Sequence, residues 1–271
     1  MNIARESAPL VARLKQGIID AHHLVSAHAT SSLGHPDIDA ILGGGLAGGR
    51  LHELLPAEPA DMANTAGFAL MLARQAALTR PEKPIFWVRE ASAERRLGRP
   101  HAPGLAELGL DPAAFVFVTA PDGTALLRAS EEIARCAGVG ALMIELGPSA
   151  LRRADLTASR RLALAAGKAG TVPLMLRPDG KEAPSAAWTR WRVASAPSAL
   201  LAANAPGHAR LDIELLRHRA GPSGQKWRVE WDREQACFSE AALPGAVLPL
   251  PARRSPSPVV AAMDGDWRLS A

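Results

Sequence analysis

Residues Ala141 to Arg177 read ALMIELGPSALRRADLTASRRLALAAGKAGTVPLMLR. The apolar run ALMIEL, Ala141 to Leu146, leads through a loop into helix-periodic sequence from Leu156 to Ala169 and then into a second run, VPLMLR, Val172 to Arg177. Strands covered on both faces lose the in–out alternation of half-exposed ones. Two continuous apolar runs separated by one helix therefore predict a βαβ unit in a parallel sheet.

The same alternation extends upstream. Leu51 to Leu55 reads as a short strand, Met62 to Leu78 as an apolar-faced helix, and Ile85 to Arg89 and Ala114 to Thr119 as strands; Thr124 to Cys136 reads as a further helix. Beyond residue 186, Trp188 to Ala194, Ala209 to Arg217 and Lys226 to Trp231 are strand-like with no long helix between them, as expected of antiparallel additions at a sheet edge. Trp188, Trp191, Trp227 and Trp231 fall in these strands and are expected to pack on the sheet. The expected class is α/β, with a mainly parallel sheet flanked by helices and antiparallel strands at the C-terminal edge.

Leu10, Val11, Leu14, Ile18 and Ile19 recur at helical spacing, giving a short N-terminal helix and linker over residues 1–35. The core spans 36–243. Residues 244–271 carry Pro244, Pro249, Pro251, Pro256 and Pro258, a composition expected to be disordered, with Trp267 and Leu269 either anchors for a partner or inconsequential terminal residues.

With 31 Lys and Arg and a net charge of +4, the chain permits a polyanionic partner without demanding one. Cys136 and Cys237 lie outside any CxxC pair and suit a reducing interior, and Cys136 is expected to pack within a helix. No segment reaches the roughly 18 apolar residues of a membrane span, so no membrane partner and a cytoplasmic location are expected. His22, His23, His28 and His35 share one segment, but adjacent histidines face different ways on a helix and no cysteine is near, so no metal site is expected.

In doubly wound proteins the loop after the first strand is the natural phosphate site. A working phosphate loop converges glycine N–H groups on the ligand, with a lysine for the terminal phosphates and a hydroxyl for magnesium. Here the loop is Pro56, Ala57, Glu58, Pro59, Ala60, Asp61, Met62, Ala63. Two prolines remove donors and no glycine opens the turn. Each carboxylate about 4 Å from a phosphate charge costs roughly 1 kcal/mol in water and ~4 at an effective dielectric of 20. No nucleoside triphosphate and no cofactor are expected there, unless another group such as Arg89 holds the ligand.

The run DAILGGGLAGGRLHE, Asp39 to Glu53, resembles the segment that precedes the phosphate loop in RecA-type recombinases. FWVRE at Phe86 to Glu90, GLAELGLDPAAFVFV at Gly104 to Val118 and ALMIEL resemble the following strands in order, the last being the Walker-B strand. With the loop lost, and with RLDIELLRHRAGPSGQKWRVEWD at Arg210 to Asp232, the chain resembles the ImuA family over residues 30–235. The resemblance implies a RecA-like core in which Met62 takes the lysine position, Asp61 the preceding glycine and Ala63 the hydroxyl, with Glu145 at the Walker-B acid and Glu90 near the acid that polarises water. It also implies a non-catalytic accessory role in DNA damage-induced, error-prone translesion synthesis (the SOS response), with an ImuB-type Y-family polymerase homologue, a DnaE-type polymerase and RecA itself as partners. An ATP-binding recombination protein and a SulA-like inhibitor of cell division are the alternatives.

The segments matching the RecA DNA loops, Gly147 to Asp155 and Pro178 to Ser185, are short. Arg152, Arg153, Arg160, Arg161 and Lys168 are candidate contacts to DNA or a partner, or else a solvated helix face.

Overall fold

The two apolar runs become neighbouring strands inside a nine-stranded sheet. The computed structural model describes residues 28–198 and 207–240. The expected N-terminal helix, His22, His23, and the tail with Trp267 and Leu269 lie outside the described residues.

In chain order the elements are β1 (Thr30–Ser31), α1 (Pro36–Leu42), β2 (Leu46–Ala47), β3 (His52–Pro56), α2 (Met62–Leu78), β4 (Ile85–Glu90), α3 (Ala91–Leu97), α4 (Ala102–Glu107), β5 (Phe115–Ala120), α5 (Gly123–Arg135), β6 (Ala141–Glu145), α6 (Pro148–Leu151), α7 (Leu156–Ala169), β7 (Pro173–Leu176), β8 (Thr189–Ser195), β9 (Arg210–His218), β10 (Lys226–Asp232) and β11 (Cys237–Glu240). β1 and β2 form a small antiparallel ribbon, and the large sheet runs β11-β10-β9-β8-β3-β7-β6-β4-β5. The ribbon rests on a close approach at Gly45, where a Cβ would stand 2.2 Å from the Ser31 carbonyl oxygen.

Side chains in the central strands alternate between two cores. Ala141, Met143, Leu174 and Leu176 face the core beneath α2, with Phe68 and Leu72 of that helix. Leu142, Ile144 and Met175 face the other, where Leu126 of α5 and Leu162 and Ala166 of α7 pack. Burial on both sides explains why these strands read as continuous apolar runs.

β8 departs from the expected antiparallel arrangement: it pairs parallel to β3, and antiparallel pairing begins at β9. The pattern misleads because residues 178–188 return the chain to the start of the sheet without a helix. The expected tryptophan packing holds, with Trp191 and Trp231 fully buried and Trp188 nearly so. Cys136 is instead exposed, because α5 ends at Arg135 and the cysteine caps it in an extended conformation.

Opposite charges meet across the late strands. Arg192 pairs with Glu214 (3.1 Å), Arg210 with Glu230 (2.9 Å) and Arg228 with Asp212 (2.7 Å), each between register partners. A one-residue slip would send every one of these side chains to the opposite face, so the pairs favour the observed register.

At the centre, Glu53 of β3 is fully buried. Arg190, its register partner on β8, donates to it at 2.8 Å, and Arg177, just past β7, lies 3.9 Å away. Beside it His52 is also buried: Nδ1 lies 2.7 Å from Thr189 Oγ1 and Nε2 lies 3.0 Å from the Ala47 carbonyl. Trp191 Nε1 donates to the same threonine oxygen at 2.9 Å. The threonine hydroxyl then donates to Nδ1, and the neutral ring carries its proton on Nε2. Burial holds the His52 pKa down at about 4, with His218 and Arg50 adding positive charge and the Ala47 hydrogen bond opposing.

Two outcomes are expected. Glu53→Ala leaves Arg190 buried without its carboxylate and lowers unfolding free energy by about 3–5 kcal/mol in denaturant titrations; a loss below ~1 kcal/mol contradicts a structural pair. For His52, the unfolded ring takes up a proton near pH 6.5 and the folded ring only near 4. Its contribution is present above pH 6.5 and is lost as pH falls toward 4, up to about 3 kcal/mol. A ring NMR titration of His52 with a midpoint above 6 would contradict this.

Candidate functional site

β3 delivers the chain into the loop expected to bind phosphate. Pro59–Asp61 form a 3₁₀ turn that runs directly into α2. The loop N–H groups are taken up internally: Ala57 donates to the Val193 carbonyl at 2.8 Å, Glu58 to the Asp61 carboxylate at 3.3 Å, Asp61 to the Glu58 carbonyl at 2.9 Å and Met62 to the Pro59 carbonyl. Pro56 and Pro59 have none to offer.

Asp61 is the organising residue. It is buried, and its second carboxylate oxygen accepts the Ser195 N–H at 2.8 Å, tying the loop to the end of β8. The acid that replaces the expected glycine thus bonds to donors of its own chain. Met62, at the lysine position, packs against the apolar core beneath α2, while Glu58 and Pro59 are exposed.

The acids at the neighbouring strand ends are engaged as well. Glu145 lies 3.1 Å from Arg89, its register partner on β4, and accepts Trp87 Nε1–H at 3.2 Å. Arg89 also donates to the Gly98 carbonyl at 2.7 Å and is 5% exposed, so the group suggested for an unusual ligand mode is committed internally. Glu90 accepts the Ala150 N–H at 2.8 Å and is 3.3 Å from Ser92 Oγ. It fits because residue 147 is glycine: a Cβ there would lie 2.4 Å from the Glu90 carboxyl carbon. The site thus brings together the carboxylates that the RecA resemblance marks, each already hydrogen-bonded.

The five candidate basic residues are engaged differently. Arg152 and Arg153 are exposed beyond α6, Lys168 lies in the last turn of α7, and Arg161 turns to Glu131 of α5 at 2.7 Å. Arg160 adds to the positive field at Arg219. His28 Nε2 bonds the Gly167 carbonyl at 2.7 Å, His35 caps α1, and no three His, Cys, Asp or Glu among the described residues gather for a metal. Among those residues no helix is long and apolar enough to cross a membrane.

At one edge of the sheet, β5 pairs only with β4 among the described residues. It exposes Val116 and Phe117, and Phe117 borders a cleft of about 300 Å³ with Arg89, Glu94, Arg99, Pro100 and Thr119. Missed by the sequence reading were this edge and the pairing of Glu53 with Arg190. The FVFVT run signalled a strand but not its place in the sheet.

No protein-family model matches the chain. Among solved structures, the RadB recombinase superposes with a TM-score of 0.52 at 14% identity, covering 78% of this chain and 99% of that one, which establishes the RecA-like fold. The curated Protein ImuA of two Caulobacter vibrioides strains is 35% identical over 214 residues, 74% of this chain and 77% of the relative. The chain belongs to the ImuA family. In this ImuA family member the loop after β3, at the phosphate-loop position of the recombinase architecture, is hydrogen-bonded to its own aspartate.

Asp61→Ala leaves the Glu58 and Ser195 N–H groups without their acceptor. A loss of about 1–3 kcal/mol is expected in denaturant unfolding, with Asp61→Asn losing less; a loss under ~0.5 kcal/mol in the alanine variant would mean that water replaces the carboxylate.

Proposed function

We propose that this ImuA family member is a non-catalytic accessory of DNA damage-induced, error-prone translesion synthesis. It assembles with an ImuB-type Y-family polymerase homologue and a DnaE-type polymerase, and contacts RecA. The observation that carries the reading is the loop: four of its N–H groups and the Asp61 carboxylate are bonded to each other or to β8. A phosphate ligand needs those donors, and displacing their present acceptors costs the bonds already made. The acids that otherwise serve hydrolysis are held by Arg89, Trp87 and the Ala150 N–H.

A recombinase-shaped domain relieved of hydrolysis retains its surfaces. Among the described residues β5 leaves one backbone edge unpaired, with Val116 and Phe117 exposed, the features by which an extended segment of a partner adds to a sheet. Assembly is then the mechanism, and this edge is a docking surface for it.

Titration with a fluorescent ATP analogue and magnesium is expected to show no binding up to about millimolar, the weak end of ordinary affinities. An Asp61→Gly, Met62→Lys variant serves as the partial reconstruction. Co-purification with the ImuB-type partner is expected from wild type. Micromolar ATP binding by wild type would overturn the reading, restoring an ATP-binding recombination protein with Glu90 and Glu145 as catalytic candidates.

A further inference from the structure

Most arginines on the late strands have a carboxylate partner: Arg190 with Glu53, Arg192 with Glu214, Arg210 with Glu230 and Arg228 with Asp212. At the end of β9 the pattern stops. Arg217 Nη1 and Arg219 Nη2 both donate to one neutral acceptor, the Ser185 carbonyl, at 3.1 and 3.4 Å. Neither they nor Arg160 pairs with a carboxylate among the described residues.

Three further contacts bring the cluster together. The Arg219 N–H donates to the Trp188 carbonyl at 3.0 Å, and the Arg50 guanidinium lies over the Trp188 ring, 4.3 Å from its centroid. The Ala186 N–H donates to Ser159 Oγ at 3.0 Å, which docks the start of α7, and with it Arg160, against the same segment. The guanidinium of Arg219 has its pKa lowered, first by partial desolvation at the protein surface and then by the charges of Arg217, Arg50 and Arg160. Like charges concentrated in this way are a standing cost that a polyanion relieves.

The cluster is distant from the phosphate loop. Thr189 is the register partner of both His52 and His218, so the end of β9 lies beside the starts of the parallel strands, whereas the loop follows the end of β3.

We propose that Arg160, Arg217 and Arg219, with Arg50 beside them, form a site for the phosphodiester backbone of nucleic acid. Guanidinium suits the task because its planar fork donates two parallel hydrogen bonds to one phosphate. Phosphate contacts carry no sequence information, so binding through them is indifferent to sequence and strongly salt-dependent. The choice of nucleic acid over another polyanion rests on the function proposed above.

The test is fluorescence anisotropy of the full chain with a labelled 30-nucleotide single strand and its duplex, across a salt series. One variant carries Arg160→Gln, Arg217→Gln and Arg219→Gln; a control carries Arg128→Gln, Arg135→Gln and Arg228→Gln, removing equal charge elsewhere. The cluster variant is expected to bind at least tenfold more weakly, with the slope of log K against log salt reduced by about 2 for the single strand. The control is expected to stay within about twofold of wild type. Should the triple variant melt below wild type, Arg219→Gln alone, whose side chain is exposed, reads the same effect at smaller amplitude. The proposal fails if wild type does not bind, if both triple variants weaken equally, or if polyglutamate competes as well as DNA. Co-purification with the ImuB-type partner reads the assembly function separately, so loss of DNA binding alone sinks this site and not that function.

Discussion

A carboxylate with no solvent exposure sits at the middle of this sheet, on the strand where its two halves meet. Glu53 lies between β7 and β8, both parallel to β3, and takes charge from Arg190 on one side and Arg177 on the other. Desolvating such ions costs several kcal/mol each, which their mutual attraction must offset. What the arrangement secures is position. Arg190, fixed by Glu53, also donates to the Ala183 carbonyl and to Ser185 Oγ at 3.0 Å, pinning the long return segment between β7 and β8. That segment in turn presents the Ser185 carbonyl to Arg217 and Arg219. The order therefore runs from a buried acid, through a crossover without helix, to a basic surface at the foot of the sheet.

A second constraint governs the top of the sheet. A loop between a strand and a helix exposes N–H groups that must find acceptors whether or not a phosphate arrives. In a nucleotide-binding protein the ligand supplies them; here Asp61 supplies one, to Glu58, and the Val193, Glu58 and Pro59 carbonyls take the N–H groups of Ala57, Asp61 and Met62. The glycine-to-aspartate and lysine-to-methionine departures act together in this respect. The aspartate takes over part of the hydrogen bonding that phosphate would supply, and methionine at the lysine position joins the core that anchors α2. Glu90 and Glu145 follow the same rule, since each carboxylate was a liability until the Ala150 N–H and Arg89 engaged it.

Legibility in the sequence followed the range of the interactions. The βαβ unit at 141–177, helix Met62–Leu78 and the altered loop were readable because their signals are local: continuous apolar runs, helical spacing, and missing glycine and lysine. β8 was misread as antiparallel because strand direction depends on how residues 178–188 cross, which no local pattern records. Cys136 was misplaced by one residue of helix end. The short helices α3 and α4 and the strand β11 were passed over because seven, six and four residues carry too little periodicity. Arg161 and Arg160, adjacent on one helix, turn to Glu131 and to the Arg219 cluster respectively, a division set by neighbours from other parts of the chain.

The same long-range logic decides where charge is felt. Across β8, β9 and β10, cross-strand pairs neutralise Arg192, Arg210 and Arg228, so the body of this half-sheet contributes little net field. The loop acids and the arginine cluster lie at opposite ends of strands such as β3, whose five residues extend roughly 17 Å at about 3.3 Å per residue. Screening at physiological salt acts over ~8 Å, about half that span. The carboxylates of the loop after β3 therefore do not quench the positive end, where Arg160, Arg217 and Arg219 have no carboxylate partner among the described residues. Acids in the loop after β3 are thus compatible with a basic surface on the same small domain, because the strands hold the two farther apart than their fields reach.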